Sequence, residues 1–424
     1  MAEKLVIVGA GVAGVNAATK LIDNGFPGEN ITIIDMGKDP YNRKYSEVME
    51  GFLGAGGWSD GKLTYHTAIG GHMAKYCGED KAMELFDEVI TNFKRFHPKP
   101  EEVQCSDPQA EPDFIKPYFG LRLFPVWHVG TDYLHEIGKN WYDFLVENGV
   151  KFQWETKVDE IWFDKNKLMA DNGSNPYFIH YDRLMFAVGK SGIDFGKKLA
   201  DKYLLPTEPK PVQIGVRFEA PQEHFQKLID ISYDFKLYRK FDEGVSLRSF
   251  CTNNNAAYVA VEETYGDHSY NGHAKKDEAF RNDMTNFGIL MEIPGIEEPF
   301  AWSRELVSKV NKDGTGLYYS PTRSPSTTSE GEDVSAVVID DAQMDEVRDA
   351  FHGYYKYIDD FIDDMKKVFP TLGDDWGVYV PEVKYLSPEP LVDYNTLSLN
   401  DYSNIHFVGD ALSARGITVS GAQG

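Results

Sequence analysis

The residues best placed to do chemistry stand at the start of the chain: Gly9-Ala10-Gly11-Val12-Ala13-Gly14. They follow an apolar run, Leu5 to Val8, that reads as a buried strand. Glycines at this spacing do three jobs: a tight turn, close approach to a pyrophosphate, and close packing of helix on strand. The first N–H groups of the helix that follows, with its positive dipole end, favour phosphate. A GxGxxG alone is a weak signal. Here it opens a predicted helix, Val15 to Ile22, and Asp35 ends a second predicted strand, Ile31 to Ile34. A carboxylate there suits a ribose hydroxyl pair.

The other end of the chain carries a second signature. Ile405 to Val408 reads as a strand running into Gly409-Asp410, followed by Ala414-Arg415-Gly416-Ile417. Ligands of open α/β sheets bind at the carboxyl ends of strands. Asp410 there can accept from a ribityl hydroxyl, and backbone N–H groups at Gly416 and Ile417 can face a flavin's pyrimidine edge. Taken alone, Asp410 reads as a turn or N-cap aspartate. Two such signatures at opposite ends point to FAD rather than NAD.

Between them lies Gly54-Ala55-Gly56-Gly57-Trp58-Ser59-Asp60-Gly61-Lys62-Leu63-Thr64. Glycines let backbone approach a ligand. Gly56, Gly57, Ser59, Asp60 and Lys62 are therefore expected at the cofactor, with Lys62 stabilising an anionic reduced flavin. The competing reading is a flexible linker.

This loop is similar to the GGAGxFSDGKL signature of the uncharacterised FAD-dependent dehydrogenases, relatives of the glutathione-reductase class of flavoproteins. The resemblance extends through His128 to Asp132, Ile214 to Glu219, Arg248 to Cys251, Asn271 to His273, Thr285 to Phe287 and Gly409-Asp410 with Arg415 to Ile417. It departs at Ala411, where the pattern has glycine, and over Gly316 to Thr328. It also implies a longer C-terminal helix, of which this sequence carries Thr418 to Gly424. Leu184 to Gly189 resembles the strand-to-loop stretch of flavoproteins with two dinucleotide domains, with Val188 in place of Thr. The resemblance thus implies cofactor contacts at Ala187 and Gly189, and backbone contacts to adenine near Val158.

Hydride transfer to a flavin needs orientation and a base for the departing proton. His66, His128 and His273 are candidates, each also readable as a structural histidine. His273, in Asn271-Gly272-His273, ranks first. Arg217 and Arg248 could grip a substrate carboxylate or form a surface or interdomain salt bridge. Tyr265, Tyr270, Tyr318 and Tyr319 could wall a flavin pocket or fill a core. Cys77, Cys105 and Cys251 show no CxxC pair and no zinc spacing, so no metal is expected.

The positioning elements follow from length and pattern. A chain of 424 residues suits two domains. The expected fold class is α/β: a Rossmann-like FAD-binding domain with an inserted mixed or antiparallel substrate domain. The expected FAD-binding pieces are 1–70, 128–200 and 375–424, with a helical and irregular insertion at 71–127 and the substrate domain at 201–374. Helices are expected over Lys81 to Phe96, Tyr133 to Asn148 and Asp341 to Phe369. Strands are expected over Lys151 to Phe163, Arg183 to Val188, Val212 to Glu219, Val245 to Thr252 and Ala256 to Glu262, and a loop over Thr315 to Asp333.

The net charge of −24 argues against broad affinity for phosphate backbones. With no signal peptide, no spanning apolar stretch and scattered cysteines, the expectation is a cytoplasmic protein. The leading expectation is an FAD-dependent oxidoreductase acting on a small organic or amine-bearing substrate. Its electron acceptor would be oxygen, a quinone or NAD(P). A second reading, a flavin enzyme for an amino-acid-modified pyrimidine, brings DNA in as partner. A third is a non-catalytic flavin-binding scaffold.

Overall fold

The computed structural model describes residues 3–44, 47–255, 257–274, 281–326, 334–386 and 388–424. Most of Thr315 to Ser326 is loop around one short strand, and the rest of the expected loop, 327–333, lies outside the described residues, as does Ala256. The chain divides into two compact units: 1–105, 127–209 and 388–424 form the first, 106–126 and 210–387 the second.

The first unit is α/β. β1 (Leu5–Val8) runs into α1 (Val12–Asp23) and back to β2 (Ile31–Ile34). α2 (Glu79–Phe96) and α3 (Leu134–Glu147) follow, then β3 (Lys151–Gln153), β4 (Arg183–Phe186) and α4 (Ile193–Tyr203). After the second unit come β5 (Ser398–Leu399), β6 (Tyr402–Phe407) and α5 (Ile417–Gln423). The sheet order is β5-β6-β4-β1-β2-β3. All pairings are parallel except β5 with β6. The strand order reverses beside β1, between β2 and β4, and ligands of such sheets sit outside the strand ends at that switch point.

β1 reads as an unbroken apolar run because both its faces are covered: all four residues are buried. The apolar stripe of α2 joins the same core, with Phe86 and Phe93 fully buried. Residues 71–105 therefore do not form the separate insertion expected at 71–127. A stripe of that width must be covered, and α2 packs against α3 and α5. Trp141 of α3 stacks on Phe96 and donates from Nε1 to Thr19 Oγ1 at 2.7 Å, tying α1, α2 and α3 together.

The expected single strand over Lys151 to Phe163 is two: β3, and Lys157–Trp162 of a separate three-stranded antiparallel sheet. The change of sheet falls at Glu155, whose φ is +49°.

The second unit is an eight-stranded, mainly antiparallel sheet. Its central strands are Gly377–Lys384, Val212–Pro221, Met284–Ile293 and Ser246–Asn255, neighbours in that order. A hairpin, Ala257–Thr264 with Asp267–Ala274, lies against it. The helix expected over Asp341 to Phe369 is broken in two, Asp341–Ala350 and Lys356–Val368. His352 and Gly353 stand at φ +53° and +80°, which a continuous right-handed helix cannot contain. The unit boundary at 387 also places Gly377–Lys384 in this sheet, where a boundary at 374 was expected.

Candidate functional site

The candidate site is the glycine turn between β1 and α1, with the loops that surround it in the first unit. Gly9 has φ +109°, and a Cβ on it would stand 2.2 Å from the Ala187 carbonyl oxygen beyond β4. A Cβ on Gly14 would stand 2.2 Å from the Gly9 oxygen and 2.9 Å from Ile7 Cγ2. Both positions are filled by protein. Gly11 is the exception, since no atom of the described residues lies within 4 Å of where its Cβ would be. The spacing of the glycines thus resolves into one turn, one packing contact and one opening.

Asp35 is committed in a way the sequence did not suggest. Its Oδ2 accepts from Ala10 N at 2.7 Å, and its Oδ1 accepts from Gly37 N at 2.7 Å and Gly51 N at 2.8 Å. The carboxylate staples the glycine turn to two neighbouring loops. Beside it lies an open cleft lined by Met36, Glu155, Lys157, Asp159, Asp171 and Gly173. Val158 does not line it. Strand alternation turns Val158 into the core and its neighbours Lys157 and Asp159 outward.

On the other flank of β1, Gly189 has φ +63°, and among the described residues only Asp410 Oδ2, at 4.0 Å, comes near its Cβ position. Asp410 follows β6 and is ion-paired with Arg415. Gly409 N donates to Gln423 Oε1 at 2.8 Å, anchoring this turn to α5. Gly416, at φ +98°, opens α5. Ile417 is buried, and the buried Thr418 Oγ1 has no hydrogen-bond partner among the described residues.

The glycine-rich loop is ordered backbone rather than a linker. Gly54–Trp58 forms a short 3₁₀ turn and Lys62–Thr64 a strand. A Cβ on Gly54 would lie 3.3 Å from Gly11 Cα, so the loop crosses the glycine turn. Gly56 and Gly57, expected at the cofactor, are small for a different reason. A Cβ on Gly56 would stand 2.4 Å from Val12 Cγ2, and one on Gly57 3.2 Å from Arg43 Nη1. Ser59 Oγ donates to Gly56 O and accepts from Gly61 N, holding the loop's own turn. Lys62 and Asp60 form a buried ion pair at 2.8 Å, with side chains 4 % and 9 % exposed. Lys62 therefore carries its counter-charge with it, which weakens the electrostatic role expected of it toward a reduced flavin.

One residue that the sequence reading passed over organises this loop. Arg43, 6 % exposed, donates to four carbonyl oxygens: Glu47 at 3.0 Å, Phe52 at 2.6 Å, and Val48 and Gly54 at 2.8 Å each. Burial lowers its pKa to about 9, offset in part by Asp35, so it is charged at neutral pH. Its guanidinium lies 5.3 Å from the Trp58 ring centroid, and Trp58 stacks on His135.

His66 and His128 each accept, through Nδ1, the backbone N–H two residues on, which makes them turn residues. The second unit holds the remaining candidates. Arg217, read as a carboxylate grip, is 0 % exposed. Its Nε and Nη2 donate to Asn286 Oδ1, Nη2 also to the Cys251 carbonyl, and Nη1 pairs with Glu382 at 3.4 Å. This corrects the expectation: its guanidinium is turned to internal acceptors. Gly272 permits the arrangement, since a Cβ there would stand 1.6 Å from Arg217 Nη2. His273, the first-ranked base, is 6 % exposed and stacks on Tyr258. Arg248 lies between Gln213 and Glu292 of neighbouring strands. Tyr270 and Tyr318 are core residues, with hydroxyls on the Ser335 and Ser324 carbonyls.

No group of three or more His, Cys, Asp or Glu among the described residues could hold a metal ion. No helix among them is long and apolar enough to cross a membrane.

No family model matches the chain. A protein of Clostridium beijerinckii described as uncharacterized is 29 % identical over 231 residues, spanning 51 % of this chain and 36 % of that relative. Among solved structures, a flavoprotein/dehydrogenase from Cytophaga hutchinsonii is 12 % identical with TM-score 0.40, covering 96 % of this chain and 71 % of that one. Glycerol-3-phosphate dehydrogenase from Bacillus halodurans, solved with FAD, is 12 % identical with TM-score 0.42, covering 99 % of this chain and 62 % of that one. The halogenase PltM is 11 % identical with TM-score 0.41, covering 99 % of this chain and 67 % of that one. At these scores the likenesses carry no argument about function.

Proposed function

We propose that this chain is an FAD-dependent oxidoreductase that takes a hydride from a small organic or amine-bearing substrate. The observation that carries the reading is the contrast within the glycine turn: Gly9 and Gly14 are filled by protein, while Gly11 faces open space. A turn that served packing alone would have no reason to keep its middle glycine clear.

The residues present fit the dinucleotide. Gly11 and the first N–H groups of α1 would take the pyrophosphate. The cleft beside Asp35 would take the adenosine end, with the second lone pair of Asp35 Oδ2 available to a ribose hydroxyl. Gly189 and Asp410 leave room for the ribityl chain, and Thr418 brings an unpartnered hydroxyl to the same flank.

A bound flavin supplies the hydride acceptor. The chain's part is to hold it and to exclude water from it. Arg43 and Asp35 fix the loops around the turn, and Asp410 is held by Arg415 at the end of β6.

The reading is tested by anaerobic mixing of the purified yellow protein with amines, amino acids and modified nucleosides while flavin absorbance is followed. Bleaching by an amine or amino acid supports it. A protein that cannot be loaded with FAD rules it out.

A further inference from the structure

We infer that Arg43 is a positioning residue that builds the roof of the phosphate-binding turn by holding Leu53 and Gly54 across Gly11. The inference rests on the nucleotide-binding reading above and names a part of that site outside the glycine fingerprint.

Leu53 is the key residue. Its φ is +64°, in the left-handed region that a leucine avoids. Such a conformation persists only where the surroundings over-determine it, and it clusters at ligand clamps. Leu53 N donates to Ala10 O at 2.8 Å, and Leu53 forms a β-bridge with Gly11. Its side chain is buried in the core of the unit. Arg43 donates to the carbonyl before Leu53, that of Phe52, and to the one after it, that of Gly54. The first fixes the peptide plane that enters Leu53 and the second the plane that leaves Gly54, while the plane between Leu53 and Gly54 is held by Gly57 N on Leu53 O at 3.3 Å and by Gly54 N on Gly51 O at 2.8 Å. The other two, to Glu47 and Val48, tie the start of the same loop to the same guanidinium.

The surroundings are shaped to this task. Gly57 leaves room for Nη1, and Trp58 covers the guanidinium face. Four acceptors spread around one planar cation need a fork of donors. A lysine ammonium is a compact point charge and cannot span them. Arg43 touches none of the positions proposed for the nucleotide. It acts through Leu53 and Gly54, which cross the backbone of Gly11 and leave its Cβ side clear among the described residues.

The test uses full-length protein as purified and after flavin removal, with the variants R43A and R43K. Hydrogen exchange of the backbone amides needs no cofactor and reads the loop directly. The expected result is faster exchange confined to residues 47–58 in both variants, with the rest of the first unit unchanged. FAD affinity, read by flavin fluorescence, should fall at least about tenfold in both, since charged donors to buried acceptors are lost. Millimolar ethylguanidinium should restore affinity and protection to R43A, while lysine in R43K should not. Since R43K keeps the charge and the stem, it carries the test if R43A does not fold. Native exchange in 47–58 with FAD affinity within about twofold of wild type would overturn the inference, as would exchange that rises evenly through the chain. Wild-type protein that takes no FAD, with variants that still lose protection in 47–58, would leave the clamp standing and sink the cofactor reading instead.

Discussion

Gly9 and Ala187 meet backbone to backbone where the sheet order reverses: a Cβ on Gly9 would stand 2.2 Å from the Ala187 carbonyl oxygen. The turn after β1 and the end of β4 are thereby locked together, and the opening at Gly11 sits beside that lock. The two glycines therefore respond differently to one added methyl group.

Gly9→Ala should destabilise the apo protein by about 2 kcal/mol or more, because the added carbon overlaps backbone that cannot yield. Gly11→Ala should change apo stability by no more than about 0.5 kcal/mol, because nothing stands in the way. Denaturant unfolding of flavin-free protein measures both. Equal losses would mean that Gly11 is a packing residue.

Arg217 and Glu382 form a buried pair, 0 % and 2 % exposed, in the antiparallel unit. Removing one partner strands a charge. Arg217→Met should therefore cost about 3–5 kcal/mol, and Arg217→Met with Glu382→Met should cost less than the single change. Chemical denaturation decides it. A stable Arg217→Met protein with a raised KM would restore the substrate-binding role expected from the sequence.

His135 stacks on the Trp58 ring that covers Arg43. Burial lowers its pKa from the usual 6.5, with smaller contributions from Lys139 and Arg43. The folded state then binds fewer protons than the unfolded chain as pH falls. Stability is full above the ordinary histidine range and declines as pH drops below about 6.5 toward the folded value. The melting temperature should fall over that window, and His135→Gln should flatten the fall. Unchanged slopes in the variant would show that the ring does not titrate against Arg43.

The parts of the site legible in the sequence are those written in a local pattern. Gly9, Gly11 and Gly14 are spaced by the geometry of one turn, and β6 with Gly409-Asp410 by the end of one strand. Asp35 is legible at its place, but not its three backbone donors, two of which, Ala10 and Gly51, lie 25 and 16 residues away along the chain. Arg43 left no trace because all four of its side-chain acceptors are backbone carbonyls, which any residue supplies. Gly56 and Gly57 misled for a related reason. Their small size makes room for Val12 and Arg43, and a glycine in sequence does not say whether protein or ligand fills the space. Arg217 was legible as an arginine on a strand, while its burial depends on the hairpin at Gly272, more than fifty residues on.

An FAD titration of flavin-free native protein beside Gly11→Glu tests the cofactor site most directly. The native chain should bind FAD in an equimolar complex. The variant, folded by circular dichroism, should bind none because a side chain fills the pyrophosphate opening. Native protein that takes no FAD, or a Gly11→Glu variant that holds it as tightly as the native chain, would contradict that placement.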